Sequence, residues 1–567
     1  MNHNKLKLII VVAAMFALAA SSFAALPEVR VSTQNNAEIT SKAATFGQAT
    51  ANNCQNHLIY THKYVPMTFT LTDPANTANN ISVTGYKDSI RGRGNSTWAG
   101  DKKPYRVKFN EHKSMFGSKK HKSWALLANW YDQTFALNAV GFEMGKRVGL
   151  AGTPNQFLVD FYLNGAYKGI YQITDIVQVN KGRLEIDTVT GWLAEFDYHC
   201  PSDPDEVDFA TEYPKEPKAS QGGLDSRLHT FIKSPEKLPN VSGYDFVKND
   251  IKNLTKKMFD TTQKLNGKKF PENGYRDLVD LESVAKYLML EQFLDNFDFN
   301  NKSGGGVPGF PASNFFHKEN KDGKIKAGPI WDLDLIAGVE YNSFPKHFTT
   351  YKTPLMPRHA FYKKFFDDPV FKAKIKKNWI KYKRDFQAMP NFIDSIAAVV
   401  QGSVVKNFEL QLGSNKTCND NNTNTCTRGD GGFSRMPPLV LGNLQAYNNE
   451  VAKLKTWWGS RITFFEQELA GFDTSLDIPE PSSPTPIAPS AVQQKHQAGL
   501  KVIMNGLTLT AKNEAEVVIV SLNGNIIRKQ SFTSGNHSVR LGDLPRGMYL
   551  ARVELDGVKK MVRVAVR

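Results

Sequence analysis

Hydrophobic and polar residues alternate with a period of two in several stretches of the first half of the chain. In residues 105–109, apolar side chains alternate with two cations, which predicts a strand with one apolar and one basic face. Two further strand patterns, 157–163 and 167–176, flank Asn164-Gly165, a pair typical of a tight hairpin turn. With a helix predicted near residues 135–147, we expect this half to be mainly strands and hairpins.

The apolar period changes to about 3.6 residues in the second half, which indicates helices. Residues 281–293 carry an apolar residue every three or four positions, and Asp280 stands where an N-cap belongs. Asp368-Pro369 predicts the start of another helix, because these residue types suit the N-cap and the first helical position. We therefore predict an α+β main domain at residues 50–472.

The pattern ends in a stretch rich in proline. Five prolines fall between about residues 477 and 491 and predict a semi-rigid linker, which we place at residues 473–498. Beyond it, short β-type runs are separated by the turn pairs Asn523-Gly524 and Asp556-Gly557. These runs predict a small C-terminal β-sandwich at residues 499–567.

The first 24 residues have the parts of a secretory signal peptide. Lys5 and Lys7 form a basic start, residues 8–20 are mostly apolar, and Ser22 and Ala24 are small enough to suit cleavage. No later stretch approaches the roughly 20 apolar residues of a transmembrane helix. We expect a protein exported through the periplasm, secreted or attached to the cell surface, with no transmembrane segment.

Length and composition indicate a globular protein of more than one domain. The 567 residues exceed what one hydrophobic core usually serves, and 41% of them are hydrophobic. The formal net charge of +16 suits nucleic acid, an acidic polymer, an anionic surface or a phosphate-bearing ligand. We find no zinc-finger spacing, RNP-type motif or long basic tail, so we predict no nucleic-acid partner.

Four cysteines favour disulfides in an exported protein. Cys418 and Cys426 flank a short polar loop that a disulfide could close, which leaves Cys54 with Cys200. Because four cysteines allow three connectivities, this pairing is a hypothesis.

Two acidic clusters are the first candidates for chemistry. Asn296-Phe297-Asp298 follows the helix predicted at residues 281–293. Asp332 and Asp334 follow a predicted hairpin that turns at Asp322-Gly323. Carboxylates placed in this way could hold a divalent metal and a phosphate group between them, as in the phosphotransfer half of a kinase.

A loop rich in glycine and arginine precedes the basic strand. Glycines in residues 91–96 let backbone N–H groups approach an anion, and arginine binds phosphate oxygens with two hydrogen bonds. Arg106 and Lys108 add two cations on one face of the next strand. The combination suits a triphosphate, and a surface strand with solvated cations has the same pattern.

Four motifs in order resemble the CotH family, the spore-coat-protein-H-type secreted kinases. They are residues 91–98, 102–109, 126–132 and 331–334. Residues 162–165, 169–171 and 296–298 agree with the same family, so the resemblance covers about residues 60–470. It implies an atypical protein-kinase-like fold that binds ATP and Mg²⁺ or Mn²⁺ and phosphorylates serine or threonine of protein substrates.

By position, the resemblance also implies a role for each candidate residue. Asp298 would orient the acceptor hydroxyl as the catalytic aspartate. Asp332 and Asp334 would hold the metal, with Asn301 as a further ligand, and the spacing does not decide which aspartate is primary. The residues facing the phosphates would be Arg91, Arg93, Asn95, Ser96, Arg106 and Lys108.

The chain departs from the family pattern at two places. Family members tend to carry a glutamate that pairs with the phosphate-binding lysine, whereas this chain has Thr174-Asp175. We expect either a looser pair at Asp175, because aspartate is shorter, or another residue in this role. Residues 303–311 form an insertion between Asp298 and Asp332, which we expect to act as a flap beside the site.

The C-terminal region carries a second resemblance. Residues 518–524 and 544–553, with the terminal strand, resemble the C-terminal sorting domain of proteins exported by the type IX secretion system. This resemblance implies that the type IX machinery is a partner. A generic carbohydrate-binding or spacer β-domain is the alternative interpretation.

The leading hypothesis is a secreted protein kinase that transfers the γ-phosphate of ATP to Ser or Thr of extracellular or surface proteins. One alternative is a surface or structural binding protein that keeps the fold without catalysis, and another is AMP transfer by the same residues. Keeping Asp298, Asp332 and Asp334 together favours chemistry. The scarcity of ATP outside the cytoplasm and the altered Asp175 favour the binding protein.

Overall fold

The computed structural model describes most of the chain. The described residues are 25–45, 58–94, 96–197, 207–213, 227–236, 241–259, 274–300, 311–339, 347–412, 416–418, 425–428, 440–441, 443–476, 500–503, 505–521, 526–544, 547–555 and 558–566. The predicted signal peptide, most of the predicted linker, Cys54 and Cys200 lie outside these residues.

The chain divides into two units. One contains the residues up to 375 together with 390–472, and the other contains residues 376–389 and 473–567. Helices and sheets both occur in the described residues, so the predicted α+β class is confirmed. No single helix among the described residues is long and apolar enough to cross a membrane, and one bent pair, Pro369–Val400 with Val404–Leu410, passes by length and composition only.

The first nine strands build the N-terminal half of the first unit. They are β1 Glu28–Thr33, β2 Ser41–Thr45, β3 Leu58–His62, β4 Val65–Thr72, β5 Ile81–Gly92, β6 Tyr105–Lys113, β7 His121–Leu127, β8 Gln156–Leu163 and β9 Ala166–Thr174. Seven of these form a closed barrel in the order β1-β4-β5-β6-β7-β9-β8, while β2 pairs with β3. The parallel pairing of β1 with β8 closes the barrel.

The barrel interior is a hydrophobic core. Tyr105, Val107 and Phe109 of β6 are buried in it, whereas Lys108 between them is exposed, so the predicted alternation of β6 is confirmed. The predicted hairpin at Asn164-Gly165 is also confirmed, because both residues have positive φ and join β8 to β9.

A second antiparallel sheet lies later in the same unit. Its strands are β10 Trp192–Phe196, β11 Val207–Ala210, β12 His229–Ser234, β13 Asn314–Lys318 and β14 Ile325–Ala327. Their order is β11-β12-β10-β13-β14. The hairpin predicted around Asp322-Gly323 is confirmed as β13–β14.

Helices make up most of the remaining first unit. The α-helices of the described residues are α1 Ser96–Ala99, α2 Leu137–Val148, α3 Asp245–Phe259, α4 Tyr275–Leu278, α5 Leu281–Leu294, α6 Phe297–Asn300, α7 Ala360–Phe366, α8 Pro369–Gln387, α9 Met389–Val400, α10 Val404–Leu412 and α11 Leu444–Leu469. Short 3₁₀ turns occur at Gln34–Asn36, Thr77–Asn79, Val241–Tyr244 and Thr474–Leu476.

Both predicted helix starts are confirmed. The Asp280 side chain accepts a hydrogen bond from the Ser283 N–H at 2.9 Å and caps α5. Asp368 accepts one from the Val370 N–H at 2.9 Å at the start of α8. Each cap satisfies a backbone donor that the first helical turn leaves unpaired.

A small three-stranded sheet precedes α11. It consists of β15 Lys416–Cys418, β16 Thr425–Arg428 and β17 Val440–Leu441. The register pairs Cys418 directly with Cys426 across β15 and β16. The disulfide between these two cysteines stays a prediction.

The described part of the second unit contains five antiparallel strands, of which the first is short. They are β18 Leu500–Ile503, β19 Gly506–Ser521, β20 Ile526–Arg540, β21 Gly547–Leu555 and β22 Val558–Val566. The order is β18-β19-β21-β22, with β20 paired to β19, around a core that includes Val517, Ile519 and Val553. The strand pairing gives one sheet, so the two-layer sandwich stays a prediction.

Candidate active site

Asp298 lies just beyond the C-terminal end of α5. The helix ends at Asp295, whose φ of 51° turns the chain out of the helical path. The Asn296 side-chain oxygen then accepts a hydrogen bond from the Asp298 N–H at 3.1 Å. The Asp298 carbonyl accepts another from the Ala312 N–H at 3.1 Å. Asp298 is thus held by its own backbone next to the start of β13.

Asp332 and Asp334 lie on the segment that leaves β14. Asp332 has a φ of 61°, a left-handed conformation that costs a non-glycine residue energy. The Ser313 hydroxyl donates to its carboxylate at 3.1 Å. The next backbone N–H, of Leu333, donates to the Asn138 side chain at 3.0 Å. These contacts fix a strained backbone between the two aspartates.

Helix α2 presses directly against this segment. A Cβ on Gly141 would lie 2.1 Å from Leu333 Cδ1, so a larger residue there would displace the segment. At the start of α2, Asp132 accepts hydrogen bonds from the N–H groups of Thr134 and Leu137, both at 2.8 Å. Helix α2 therefore forms a rigid support for the Asp332–Asp334 segment.

Four carboxylates of this region act on one another. Burial is the main reason why the pKa of Asp334 is raised well above its usual range, and the charges of Asp332, Asp298 and Asp132 raise it further. The region therefore concentrates negative charge in a place with little water. Within the described ranges, no three acidic, histidine or cysteine side chains converge into a metal site by themselves.

Arg93 brings positive charge to the same region. Its guanidinium lies 5.6 Å from the centre of the Trp331 ring. Burial lowers the pKa of Arg93 most, the negative charge of Asp332 and Asp334 opposes this, and neighbouring Arg91 and Arg106 add to the lowering. Arg93 thus connects the glycine-rich loop with the acidic segment.

A basic face runs along the outside of the barrel. The register aligns Arg91 of β5, Arg106 of β6, Ala125 of β7 and Thr174 of β9 in one row. Their side chains point away from the core because Ile90, Val107 and Trp124 point into it. Lys108 is more exposed and lies 5.7 Å from the ring of Tyr64, which Arg91 also approaches to 5.3 Å.

Several polar atoms on and next to this face are buried and have no hydrogen-bond partner. They include Arg106 Nε and Gln172 Oε1, and Gln172 lies on the same face of β9 as Thr174. Both side-chain atoms of Asn129, two residues beyond the end of β7, are also unpartnered. Unpaired buried polar groups are costly, so such a cluster indicates that a ligand completes the hydrogen bonds.

Asp175 forms an ion pair with a different cation from those named above. It accepts from Arg183 Nε at 2.9 Å, and both side chains are almost fully buried. Its second carboxylate oxygen accepts from the N–H and side-chain amide of Asn155 at 3.0 and 2.9 Å. Burial lowers the pKa of Arg183, and the positive charge of nearby Arg106 lowers it slightly more. Asp175 therefore holds Arg183, which lies close to Arg106 of the basic face.

The glycine-rich loop is anchored to the barrel. Trp98 is buried in the barrel core, and Lys103 Nζ donates to the Trp98 carbonyl at 2.7 Å. Lys102 is buried as well, donates to the Ile170 carbonyl at 2.5 Å, and its pKa is lowered to about 7 mainly by burial. The loop therefore holds Arg93 at a fixed distance from the acidic segment.

Comparison with known proteins gives the family. The family model described as CotH kinase protein matches residues 90–465, more than half of the chain. The chain belongs to the CotH kinase protein family. A second model, the secretion system C-terminal sorting domain, matches residues 503–567. No curated protein matches the chain.

Both resemblances noted in the sequence are thereby confirmed. The sorting domain also places the protein on the type IX secretion route, to the cell surface or the exterior. The CotH region contains the barrel from β6 onwards, helix α2, helix α5 and both acidic segments.

Some candidate residues of the CotH region cannot be placed. Asn95, Asn301 and residues 303–310 of the predicted flap lie outside the described residues. Ser96 begins α1, and only its backbone is described. The structure brings Asp298, Asp332, Asp334 and Arg93 together, sets Arg91 and Arg106 beside them, and leaves Lys108 at the exposed end of the face.

Three supporting residues of the CotH site were not singled out from the sequence. They are Asn138, Glu291 and Ser313. Glu291 carries a sequence signal, because it interrupts a run of apolar residues in α5. The others are short polar residues at element ends, which local patterns do not distinguish from ordinary turn and cap residues.

Proposed function

We propose that the protein is a secreted kinase that transfers the γ-phosphate of ATP to a serine or threonine hydroxyl of extracellular or surface proteins. The observation that carries this proposal is the meeting of Asp298, Asp332 and Asp334 with Arg93 at the edge of the basic barrel face. Opposite charges held apart at a fixed distance are what a polyphosphate and its metal ion require.

The basic face fits a nucleotide triphosphate. Arg91, Arg93 and Arg106 would bind phosphate oxygens, and Arg106 Nε has no hydrogen-bond partner among the residues that the structure describes. The unpartnered atoms of Gln172 and Asn129 would bind polar groups of the same ligand. A phosphate chain along this face would satisfy groups that the fold leaves unsatisfied.

The acidic segment fits Mg²⁺ or Mn²⁺. These ions are usually held by one or two carboxylates together with phosphate oxygens and water, so a complete protein cage is not needed. Asp332 and Asp334 would be the protein ligands, and Asn301 is proposed as a further ligand. A bound ion would supply neutralisation of phosphate charge. Burial and neighbouring carboxylates raise the pKa of Asp334, and a bound cation would favour its ionised form.

Asp298 would act on the acceptor. Its carboxylate would accept a hydrogen bond from the acceptor hydroxyl and receive its proton as the hydroxyl oxygen bonds to the γ-phosphorus. The bond from that phosphorus to the bridging oxygen breaks, and ADP leaves. Asn296 and Ala312 fix the Asp298 backbone, and with it the point from which the carboxylate extends.

The mature chain, residues 25–567, tests this proposal with ATP labelled separately at the γ- and α-phosphates, in Mg²⁺ or Mn²⁺. Wild type is compared with Asp298→Ala and Asp332→Ala, and Asp322→Ala in the exposed β13–β14 turn serves as the matched control. Autolabelling and labelling of a generic protein acceptor are measured.

We expect γ-label to be transferred by wild type and Asp322→Ala and lost in both site variants. Transfer of α-label instead would indicate AMP transfer by the same residues. No transfer of either label, together with no heat of nucleotide binding in calorimetry, would overturn the kinase proposal and favour a surface-binding role.

A further inference from the structure

A buried glutamate lies beneath the proposed catalytic aspartate. Glu291 is in the last turn of α5, and only 1% of its surface is exposed. Its Oε2 accepts a hydrogen bond from the Asn296 side-chain nitrogen at 2.9 Å. The Asn296 oxygen in turn accepts from the Asp298 N–H at 3.1 Å. Two hydrogen bonds therefore connect Glu291 to the backbone of Asp298.

The charged and titratable groups that face Glu291 are phenols and carboxylates. Tyr287 comes from its own helix and Tyr362 from α7, and Asp298 and Asp332 come from the two acidic segments. Glu291 also lies at the C-terminal end of α5, where the helix dipole disfavours negative charge. The two aspartates and the helix end favour a neutral Glu291 carboxyl, whereas Tyr287, like Asn296, lowers its pKa.

The electrostatics agree with this geometry. Burial raises the pKa of Glu291 to about 8, the hydrogen bond from Asn296 opposes the shift, and the charges of Asp298 and Asp332 add to it. At neutral pH the side chain is therefore mostly protonated.

We propose that Glu291 is a positioning residue of the kinase site, whose carboxyl holds Asn296 so that Asn296 holds the Asp298 backbone. This inference rests on the proposed function for its effect on turnover. The linkage itself depends only on the contacts between Glu291, Asn296 and Asp298.

If Glu291 acts through its hydrogen bond and not through a charge, variants that keep or lose this bond should differ. A glutamine at position 291 has an oxygen in the same place, so it can still accept from Asn296 and carries no charge. A leucine has a similar size and accepts nothing, so the Asn296 amide loses its buried partner. If the charge were the functional feature, both variants would fail alike.

The experiment compares Glu291→Gln, Glu291→Leu and Asn296→Ala in the mature chain. Glu282→Gln is the control, because Glu282 is a half-exposed carboxylate on the same helix that pairs with Lys286. The readouts are kcat and KM for γ-phosphate transfer, and hydrogen exchange of the peptide that contains Asp298.

We expect Glu291→Gln to keep kcat within ~3-fold of wild type at pH 7, and Glu291→Leu and Asn296→Ala to lower kcat ~100-fold with little change in the KM for ATP, since small misplacements of a catalytic group have effects of that size. Amide exchange around Asp298 should speed up in the last two variants only. If Glu291→Leu does not fold, Glu291→Gln and Asn296→Ala still decide.

The inference is overturned if Glu291→Gln loses as much activity as Asn296→Ala, or if Asn296→Ala matches wild type in both readouts. If wild type transfers no phosphate, the proposed function fails. In that case the exchange measurement alone decides on the linkage, because it does not depend on turnover.

Discussion

Two buried charge clusters lie close together in the CotH region, and they differ in the charges that they bring together. Asp175 and Arg183 form an ion pair at 2.9 Å, and hydrogen bonds from Asn155 occupy the second carboxylate oxygen. The neighbouring site instead concentrates carboxylates around Asp334, and Arg106 Nε has no hydrogen-bond partner among the described residues. A buried ion pair is costly to break, whereas gathered like charges are typical of functional sites.

The largest test of this contrast is Asp334→Asn. Removing one negative charge from the acidic cluster should lower phosphate transfer by about 10²–10³-fold or more. The same change should stabilise the free protein by about 0.5–2 kcal/mol, because it relieves repulsion among buried carboxylates. Transfer rates and thermal unfolding without nucleotide or metal measure the two effects. A less stable variant with normal activity would contradict the assignment.

Asp175→Asn should destabilise the protein strongly, in contrast to the stabilisation expected for Asp334→Asn. Breaking a buried ion pair leaves Arg183 without its counter-ion and typically costs about 3–5 kcal/mol of stability. Glu143→Gln is the control, since Glu143 pairs with Arg147 on the surface of α2 at 2.8 Å and should contribute less than about 1 kcal/mol. Chemical denaturation of the variants measures the difference. Equal effects in the two variants would show that Asp175 is not a structural centre.

The basic face offers a matched pair of cations on one strand. Arg106→Met should weaken nucleotide binding by about 10- to 100-fold, because the guanidinium of this half-buried side chain would bind a phosphate directly. Lys108→Met should weaken it by only about 2- to 3-fold, because Lys108 is exposed and screened by solvent. Calorimetric titration with ATP and Mg²⁺ gives both dissociation constants. Similar losses would place the phosphates further along the face than proposed.

Features that depend on local residue chemistry could be predicted from the sequence. The Asn164-Gly165 hairpin, the Asp280 cap and the β13–β14 turn follow from local residue chemistry and are all confirmed. The two acidic segments were found for the same reason, because each directly follows a predictable element.

Contacts between distant parts of the chain were not predictable in this way. Barrel closure joins β1 to β8 across more than 120 residues, with no local signal at either strand. The partner of Asp175 was expected to be a phosphate-binding cation, and the fold brings Arg183 to it by a turn that periodicity does not reveal. Asn296 was noted only as a neighbour of Asp298, since its bond to Glu291 exists only once α5 ends in a left-handed turn.

The smallest expected effect concerns pH and Glu291. The pKa of Glu291 is about 8 in the folded protein and near its ordinary 4.5 when the chain unfolds. Between these values the folded state holds a proton that the unfolded state releases, so this group makes the protein less stable as pH rises. Glutamine does not titrate, and Glu291→Gln should remove that loss.

The Tm of Glu291→Gln relative to wild type should therefore rise by roughly 2–5 °C between pH 5 and pH 8. Glu282→Gln is the control, because it removes a partly exposed carboxylate of the same helix that pairs with Lys286 at 3.4 Å. Thermal unfolding of the three proteins across this range measures the effect. A Tm difference that stays constant with pH would mean that Glu291 is ionised throughout. Glu291 would then be a further charged carboxylate beside Asp298 and Asp332, and not an uncharged residue that positions Asn296.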